Sequence, residues 1–297
     1  MIDMMAGKML TIFTPTYNRE KTLDRLYKSL TQQTSMQFEW LIVDDGSTDE
    51  TAALIANLKE CSPFVIRYYK QENHGKHVAH NRGAKEAKGD LFLCVDSDDW
   101  LEKDAVETII KDAEDIDNNE GLIYPRLYRG QLHVKSWFPH ENDDIALSDM
   151  RMKYGLVIET AIVFRTNILR EHPFPVFENE KYLPEGASYY TYKEPELFKV
   201  KNNAFYRSEY LDSGLTKNIY KNWKENPRGT KYALNERYKS SLRYHGFNAF
   251  KNRVVSLSDI MAINFAIEAP MFKSVDTKSF LKYISVPIAW LLYLKKF

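Results

Sequence analysis

The chain has 297 residues and a mass of 34.8 kDa, with 44% hydrophobic and 28% charged residues. That composition belongs to a globular protein of one large or two small domains, and it excludes disordered, collagen-like and disulfide-scaffold classes. The formal net charge is zero, from 41 basic and 41 acidic residues, which argues against a general nucleic-acid binder. The charge is unevenly spread. Residues 1–198 carry 23 Lys and Arg against 34 Asp and Glu, whereas residues 199–297 carry 18 against 7. The basic last third suggests an anionic surface or ligand beside it, or else a solvated basic face. Cys61 and Cys94 cannot form a disulfide framework. Cys94 lies in an apolar run as a buried free thiol would, and a reducing cytoplasm is the default compartment. No long apolar core follows a basic start at the N-terminus, so no signal peptide is expected, and no stretch approaches the ~20 apolar residues that span a bilayer.

Along the first hundred residues strand and helix signals alternate. Leu10 to Thr14 reads as a strand ending at Pro15, and Leu23, Leu26, Tyr27 and Leu30 then recur at helical spacing. Phe38 to Val43 is a second strand, stopped by Asp44-Asp45-Gly46-Ser47. Ser47 and Glu50 form a capping-box pattern before a helix over residues 52–58. Val65 to Tyr69 is a third strand, Lys76 to Lys88 a helix closed by Gly89, and Leu91 to Val95 a fourth, almost wholly apolar strand. Apolar strands each followed by a helix predict a mixed, mostly parallel α/β sheet covered on both faces. After residue 120 the rhythm changes. Leu122–Tyr128 and Leu132–Trp137 predict a hairpin around Gly130-Gln131, and Thr160–Phe164 a further strand. Residues 173–198 show no period. Residues 217–268 read as helical, with Pro227 and Gly229 as a break.

The residues that suit chemistry sit at the C-terminal ends of predicted strands, the edge where open α/β sheets bind ligands. These ends are Thr14-Pro15-Thr16-Tyr17-Asn18-Arg19, Asp44-Asp45-Gly46-Ser47 and Asp96-Ser97-Asp98-Asp99. Each also has a plainer reading, as a turn, a strand-to-helix loop, or caps for a helix near Asp104. Three carboxylates within four residues repel one another, and a bound divalent cation would offset that repulsion.

Thr-Pro-Thr-Tyr-Asn-Arg, Val-Asp-Asp-Gly-Ser-Thr-Asp, Asn-Arg-Gly-Ala-Lys-Glu-Ala-Lys-Gly-Asp and Val-Asp-Ser-Asp-Asp-Trp occur in this order over residues 9–115. Together they resemble the inverting family 2 glycosyltransferases of GT-A fold. Residues 173–185 and Asp212-Ser213-Gly214-Leu215-Thr216 resemble a capsule- and lipopolysaccharide-type branch. The resemblance implies a nucleotide-binding set of Thr14, Pro15, Tyr17, Asn18, Asp45, Lys76, Asn81, Asp96 and Ser97. Tyr17 would stack on uracil, with Pro15 beside it, and Asp45 would accept from the base N3–H. Lys76 would reach phosphate, and Asn81 the base or ribose. Asp96 and Asp98 form the Asp-X-Asp motif, with Asp96 toward the ribose or metal shell and Asp98 holding Mn²⁺ or Mg²⁺ on the diphosphate. Glu178, Glu180 and Glu185 are the candidates for the base, Glu185 first and Glu180 second. The family often has Arg immediately before the Asn at 81, where this chain has His80.

His74, His77 and His80 recur every third residue, but that spacing drifts around a helix and makes a poor metal site. The tail at 280–297 is apolar and aromatic with terminal lysines. Pro287 is expected to interrupt a helix there, and the segment would be either a core helix or a peripheral membrane contact. The domains read as 1–215, the GT-A nucleotide-sugar and catalytic domain, and 216–297, a helical region with this tail. The implied reaction is metal-dependent, inverting transfer from a UDP-sugar to a glycan acceptor, polyprenyl-diphosphate-linked, on the cytoplasmic side of a membrane. Two rivals are a sugar nucleotidyltransferase, disfavoured by the lack of a Gly-rich opening with Lys or Arg, and a non-catalytic nucleotide-sugar or membrane-partner module.

Overall fold

The computed structural model describes residues 8–128, 131–132, 137–209, 218–275 and 277–297. In chain order, the elements begin β1 (Leu10–Thr16), α1 (Leu23–Thr31), β2 (Phe38–Asp44), α2 (Thr51–Cys61), β3 (Val65–Lys70), α3 (Lys76–Glu86) and β4 (Leu91–Cys94). There follow β5 (Trp100–Leu101), α4 (Ala105–Asp112), β6 (Gly121–Tyr128), β7 (Gln131–Leu132), β8 (Asp144–Ile145), α5 (Asp149–Met152), β9 (Thr160–Arg165) and α6 (Thr166–Glu171). The remainder are α7 (Gly186–Tyr189), β10 (Phe198–Val200), β11 (Tyr206–Ser208), α8 (Ile219–Glu225), α9 (Pro227–Ser241), α10 (Phe247–Ala266) and α11 (Leu281–Lys296).

The chain divides into two compact units. The first comprises residues 1–145, 158–173 and 194–211, and the second 146–157, 174–193 and 212–297. The boundary expected at 215 lies outside the described residues. The units assign the non-periodic tract around 174–193 to the helical part.

The first unit is built on a mixed sheet with the strand order β3-β2-β1-β4-β9-β6-β10-β8. β3, β2, β1 and β4 run parallel, and β9 enters antiparallel between β4 and β6. β1 explains why the apolar run needs no polar alternation. Leu10 and Ile12 join the core that holds Leu23, Leu26 and Leu30 of α1, while Phe13 projects to the other face and stacks on Phe92 at 5.2 Å. A strand covered on both sides buries every residue, as all seven of β1 and all seven of β2 are. Pro15 continues β1 rather than ending it. β4 stops at Cys94 opposite Phe13, so Pro15 has a strand partner on one side only and its missing N–H is tolerated. The register fixes the edge that matters: Thr16 lies opposite Asp44, and Asp44 opposite Lys70.

Several local expectations change. The Ser47–Glu50 box does not form, because Ser47 Oγ accepts the Asn18 N–H at 2.9 Å and Asp49 takes the Thr51 hydroxyl at 2.6 Å. α3 ends at Glu86, two residues early, where the Lys88 N–H turns to the Glu39 carboxylate at 2.7 Å. Cys94 is half-buried rather than buried, and neither Cys61 nor Cys94 is in a disulfide. The hairpin is present as β6 and β7, with Tyr128 opposite Gln131; residues 129–130 and 133–136 lie outside the described residues, as does the Asp212–Thr216 motif.

The second unit is helical. Pro227 is the first residue of α9, which suits its fixed φ and absent N–H, whereas Gly229 sits inside that helix rather than breaking it. α11 runs straight through Pro287. Its inner face carries Ser285 and Ala289, both fully buried, and Ser285 Oγ donates to the Val254 carbonyl of α10 at 3.3 Å. Trp290 and Tyr293 stand against Phe265, so the two helices run in the same direction. Packing of this small-residue face stabilises the helix despite the proline, since helices in proteins depend more on tertiary burial than on propensity.

Gly83 of α3 lies where an added Cβ would come within 2.3 Å of the Phe13 ring. Gly83→Ala should therefore lower unfolding stability by about 1–3 kcal/mol despite alanine's better helix propensity, read as a lower urea midpoint.

Candidate active site

The parallel register brings three loops to one sheet edge, those after β1, β2 and β4. The first two are tied together. Asn18 adopts φ 53°, a conformation Asn tolerates better than most residues. Its N–H reaches Ser47 Oγ, and its Oδ1 accepts the Thr48 N–H at 2.8 Å. Tyr17, one residue earlier, is left 46% exposed, an aromatic surface at the mouth of this edge. Thr14 does not join it, since the Thr14 hydroxyl is buried and accepts from Trp40 Nε1 at 3.0 Å.

Asp45 is buried and organises the loop after β3. Its Oδ1 accepts from Gln71 Nε2 at 2.8 Å and the His74 N–H at 3.0 Å, and its Oδ2 accepts the Gly75 N–H at 2.7 Å. A carboxylate offers about four acceptor positions, so one remains for a further donor. Gly75 takes φ 97° at the N-cap of α3, a backbone state L-residues avoid. That turn launches α3 with Lys76 in its first position, and Lys76 Nζ meets Asp96 Oδ1 at 2.8 Å.

The Asp96–Asp99 turn closes on itself through the Asp99 N–H to the Asp96 carbonyl at 3.0 Å. Its three carboxylates have different surroundings. Burial pushes Asp96 up, but Lys76 and then Arg126 outweigh it and hold the group below the usual carboxylate range. Burial and the charge of Asp96 push Asp98 up. The same two causes lift Asp99 to about 7, against the opposing pull of Arg126. None of the three caps α4, whose N-cap position is Asp104.

Residues absent from the sequence reading hold this turn. The Tyr206 hydroxyl donates to Asp99 Oδ2 at 2.8 Å and accepts the Asp96 N–H at 3.0 Å. The Arg126 guanidinium lies 3.9 Å over the Tyr206 ring and 3.7 Å from Asp99 Oδ2. Arg25 stacks 3.9 Å over Trp100, pairs with Glu209 at 2.8 Å and donates to the Asp98 carbonyl. The visible signal was Arg126, a lone charge in the strand-like Leu122–Leu127 run. Nothing local marks Tyr206.

Among the described residues no three His, Cys, Asp or Glu side chains group as a metal site. The donor set still suits a hard cation bridged to an anionic ligand. Asp96 and Asp98 supply oxygen, and the burial and repulsion that raise Asp98 are what a cation would offset. His74, His77 and His80 do not converge. His80 is buried edge-on against Phe13 at 5.5 Å and Phe92 at 5.3 Å, a core histidine. Asn81 sits beside it on α3, lining a cavity of about 440 Å³ with Leu169 and Arg170. Ser97 is buried within the aspartate turn.

The base candidates lie in the second unit. Glu180 is buried, and its two oxygens accept the Arg228 N–H at 2.9 Å and the Gly229 N–H at 2.7 Å. It therefore caps the positive end of α9. Glu185 stands at the N-cap position of α7, where its carbonyl accepts from Ser188 and Tyr189. Glu180→Ala should strand those two helix N–H groups and cost about 1.5–3 kcal/mol of stability, the range for hydrogen bonds to a charged group, measured as a fall in the urea midpoint.

The sequence matches Glycosyl transferase family 2 over residues 11–184. Staphylococcus aureus TarS, a poly(ribitol-phosphate) β-N-acetylglucosaminyltransferase, is 26% identical over 64% of this chain and 32% of its own length. The GalNAc(5)-diNAcBac-PP-undecaprenol β-1,3-glucosyltransferase of Campylobacter jejuni is 27% identical over 71% of this chain and 70% of its own. Streptococcus pneumoniae GlyA is 36% identical over 36% of this chain, which spans only 15% of that relative and about a third of TarS. The crystal structure of TarS residues 1–349 with UDP-GlcNAc superposes with a TM-score of 0.59 at 19% identity, covering 97% of this chain and 92% of that one. A Pyrobaculum calidifontis mannosyltransferase with GDP-Man and Mn²⁺ gives 0.53 at 15% identity over 98% and 82%. The fold is thus that of GT-A glycosyltransferases, and since the family match extends over more than half of its length, the chain belongs to glycosyl transferase family 2.

Proposed function

We propose that the protein transfers a sugar from a UDP-sugar to an acceptor hydroxyl with inversion, using Mn²⁺ or Mg²⁺, in the assembly of a bacterial surface polysaccharide. One observation carries this reading. A single sheet edge combines an exposed aromatic at Tyr17, a buried acceptor at Asp45 and a lysine-paired aspartate turn at Asp96–Asp98. The TarS complex with UDP-GlcNAc supports uridine as the nucleoside. The undecaprenol-linked substrate in the name of the Campylobacter relative supports a polyprenyl-diphosphate-linked acceptor, and we read the reaction as taking place on the cytoplasmic side of the membrane, with residues 280–297 of the helical region toward its surface.

In this mechanism the uracil ring stacks on Tyr17 beside Pro15. Asp45, already oriented by Gln71, His74 and Gly75, accepts the base N3–H at its remaining position. Lys76 meets the diphosphate, Asn81 and Ser97 border the nucleoside, and Asn18 fixes the loop that bears Tyr17. Asp98 with Asp96 would hold the cation, which would supply Lewis-acid stabilisation of the departing diphosphate. Glu185 takes the proton of the attacking hydroxyl. The oxygen bonds to the anomeric carbon from the face opposite the phosphate, and the C–O bond to UDP breaks with its electron pair leaving on phosphate. Glu180 is assigned to structure instead, since its oxygens serve the α9 N-terminus.

Thermal unfolding with UDP, GDP, CDP and ADP, each with and without Mn²⁺, tests the reading, because a ligand of the native state raises the transition. UDP should raise it in an Mn²⁺-dependent way that Asp98→Ala abolishes. A response to GDP alone overturns the base assignment, and no response to any nucleotide returns the non-catalytic module. Glu185→Gln should keep the UDP–Mn²⁺ response while lowering turnover about 100- to 10,000-fold; wild-type turnover in this variant moves the base elsewhere. Tyr206→Phe removes only the hydroxyl that binds Asp96 and Asp99, and should weaken UDP–Mn²⁺ binding in titration calorimetry by roughly 3- to 10-fold, the worth of about one hydrogen bond.

A further inference from the structure

We propose that the outer face of α11, continued by the first turn of α10, is a docking surface for an anionic lipid bilayer. α11 is apolar on two opposite sides. One side packs on α10 through Ser285 and Ala289. The other bears Phe280, Tyr283, Ile284, Ile288, Leu291 and Leu294, all exposed, with Phe280 at 71% and Leu294 at 62%. Their spacing follows i, i+3, i+4 and i+8, so they form one stripe along the helix rather than scattered contacts. Pro287 lies on the same exposed side, and Trp290 borders it, half exposed.

The first turn of α10 adds two exposed aromatics near the start of α11. The Val254 carbonyl receives Ser285 Oγ, so that line of α10 faces α11. Phe250 and Phe247 lie four and seven residues before Val254, so Phe250 is level with Leu281 at the start of α11 and Phe247 lies beyond it. Both are exposed, Phe247 by 77%.

Charge complementarity selects the occupant. Residues 277–297 contain Lys278, Lys282, Lys295 and Lys296 and no acidic residue. Lysines at both ends of an apolar stripe, with Trp and Tyr at its border, fit a helix lying in the headgroup plane, with apolar side chains in the acyl boundary and ammonium groups on lipid phosphates. At 1.5 Å per residue the 16 residues of α11 measure about 24 Å, and no described helix is long and apolar enough to cross a membrane. The surface deepens the proposed reaction by supplying the membrane that carries a lipid-linked acceptor, but its physics needs no sugar transfer.

The test uses the full chain without nucleotide. The protein is sedimented with phosphatidylcholine vesicles and with phosphatidylcholine–phosphatidylglycerol vesicles at low and high salt. Binding to the anionic vesicles, weakened by salt and reduced roughly tenfold or more when Lys282, Lys295 and Lys296 become Gln, is the expected result. The double variant Ile288→Glu/Leu291→Glu should lose vesicle binding with an unchanged melting temperature and unchanged UDP–Mn²⁺ response. No wild-type binding to anionic vesicles at low salt overturns the proposal, as does equal binding to neutral vesicles. Sedimentation velocity supplies a further check: a wild-type dimer that the double variant abolishes gives the face to a second copy and likewise overturns it. Vesicle binding by a protein that transfers no sugar would sink the proposed reaction and leave this surface standing.

Discussion

Three carboxylates crowded into the four residues Asp96–Asp99 are the constraint around which the first unit is arranged. Left alone, such a turn would spread or protonate. Here it is compressed from three directions: Lys76 from the start of α3, Arg126 from β6 and the Tyr206 hydroxyl from β11. The result is asymmetric. Asp96 is kept ionised by its two cations, while Asp98 and Asp99 are held in burial and repulsion that favour a proton or a cation. Burial and the ionisation of all three carboxylates are therefore opposed at this turn, a pattern that clusters at functional sites.

The sheet was legible because its central strands β1, β2 and β4 are buried on both faces and read as mostly apolar runs. Val43 and Val95 are each followed by aspartates. The aspartate turn and the exposed Tyr17 were legible for the same reason, as polar residues that begin where apolar strands stop. What closes the site was not. β10 and β11 are three residues each, too short to show a period of two. Tyr206 is one aromatic among many, and its partner Asp99 is 107 positions away. The two glutamates show the same limit. Glu180 and Glu185 share a Pro-rich tract, and only the fold reveals that the N-terminus of α9, nearly fifty residues on, claims Glu180.

The helical unit misled local rules for a different reason. Proline at 287 argues for a break, and an isolated peptide would break there. Ser285, Ala289 and Ser258 let α11 and α10 approach closely enough for hydroxyl-to-carbonyl bonds between helices, and the burial this allows exceeds the cost of one missing N–H. A helix apolar on both sides looks in sequence like either a core element or a membrane element. Its buried inner face and bare outer face are consistent with each reading on a different side.

The dependence of the Asp96 turn on β11 has a consequence for biosynthesis. The parallel strands β1 to β4 are complete at residue 94, yet the hydroxyl that fixes Asp96 and Asp99 belongs to residue 206. For more than a hundred residues of elongation the nascent chain carries the ligand-facing loops without their clamp. A fragment ending before Tyr206 would retain the sheet's apolar strands without the hydroxyl that clamps the aspartate turn.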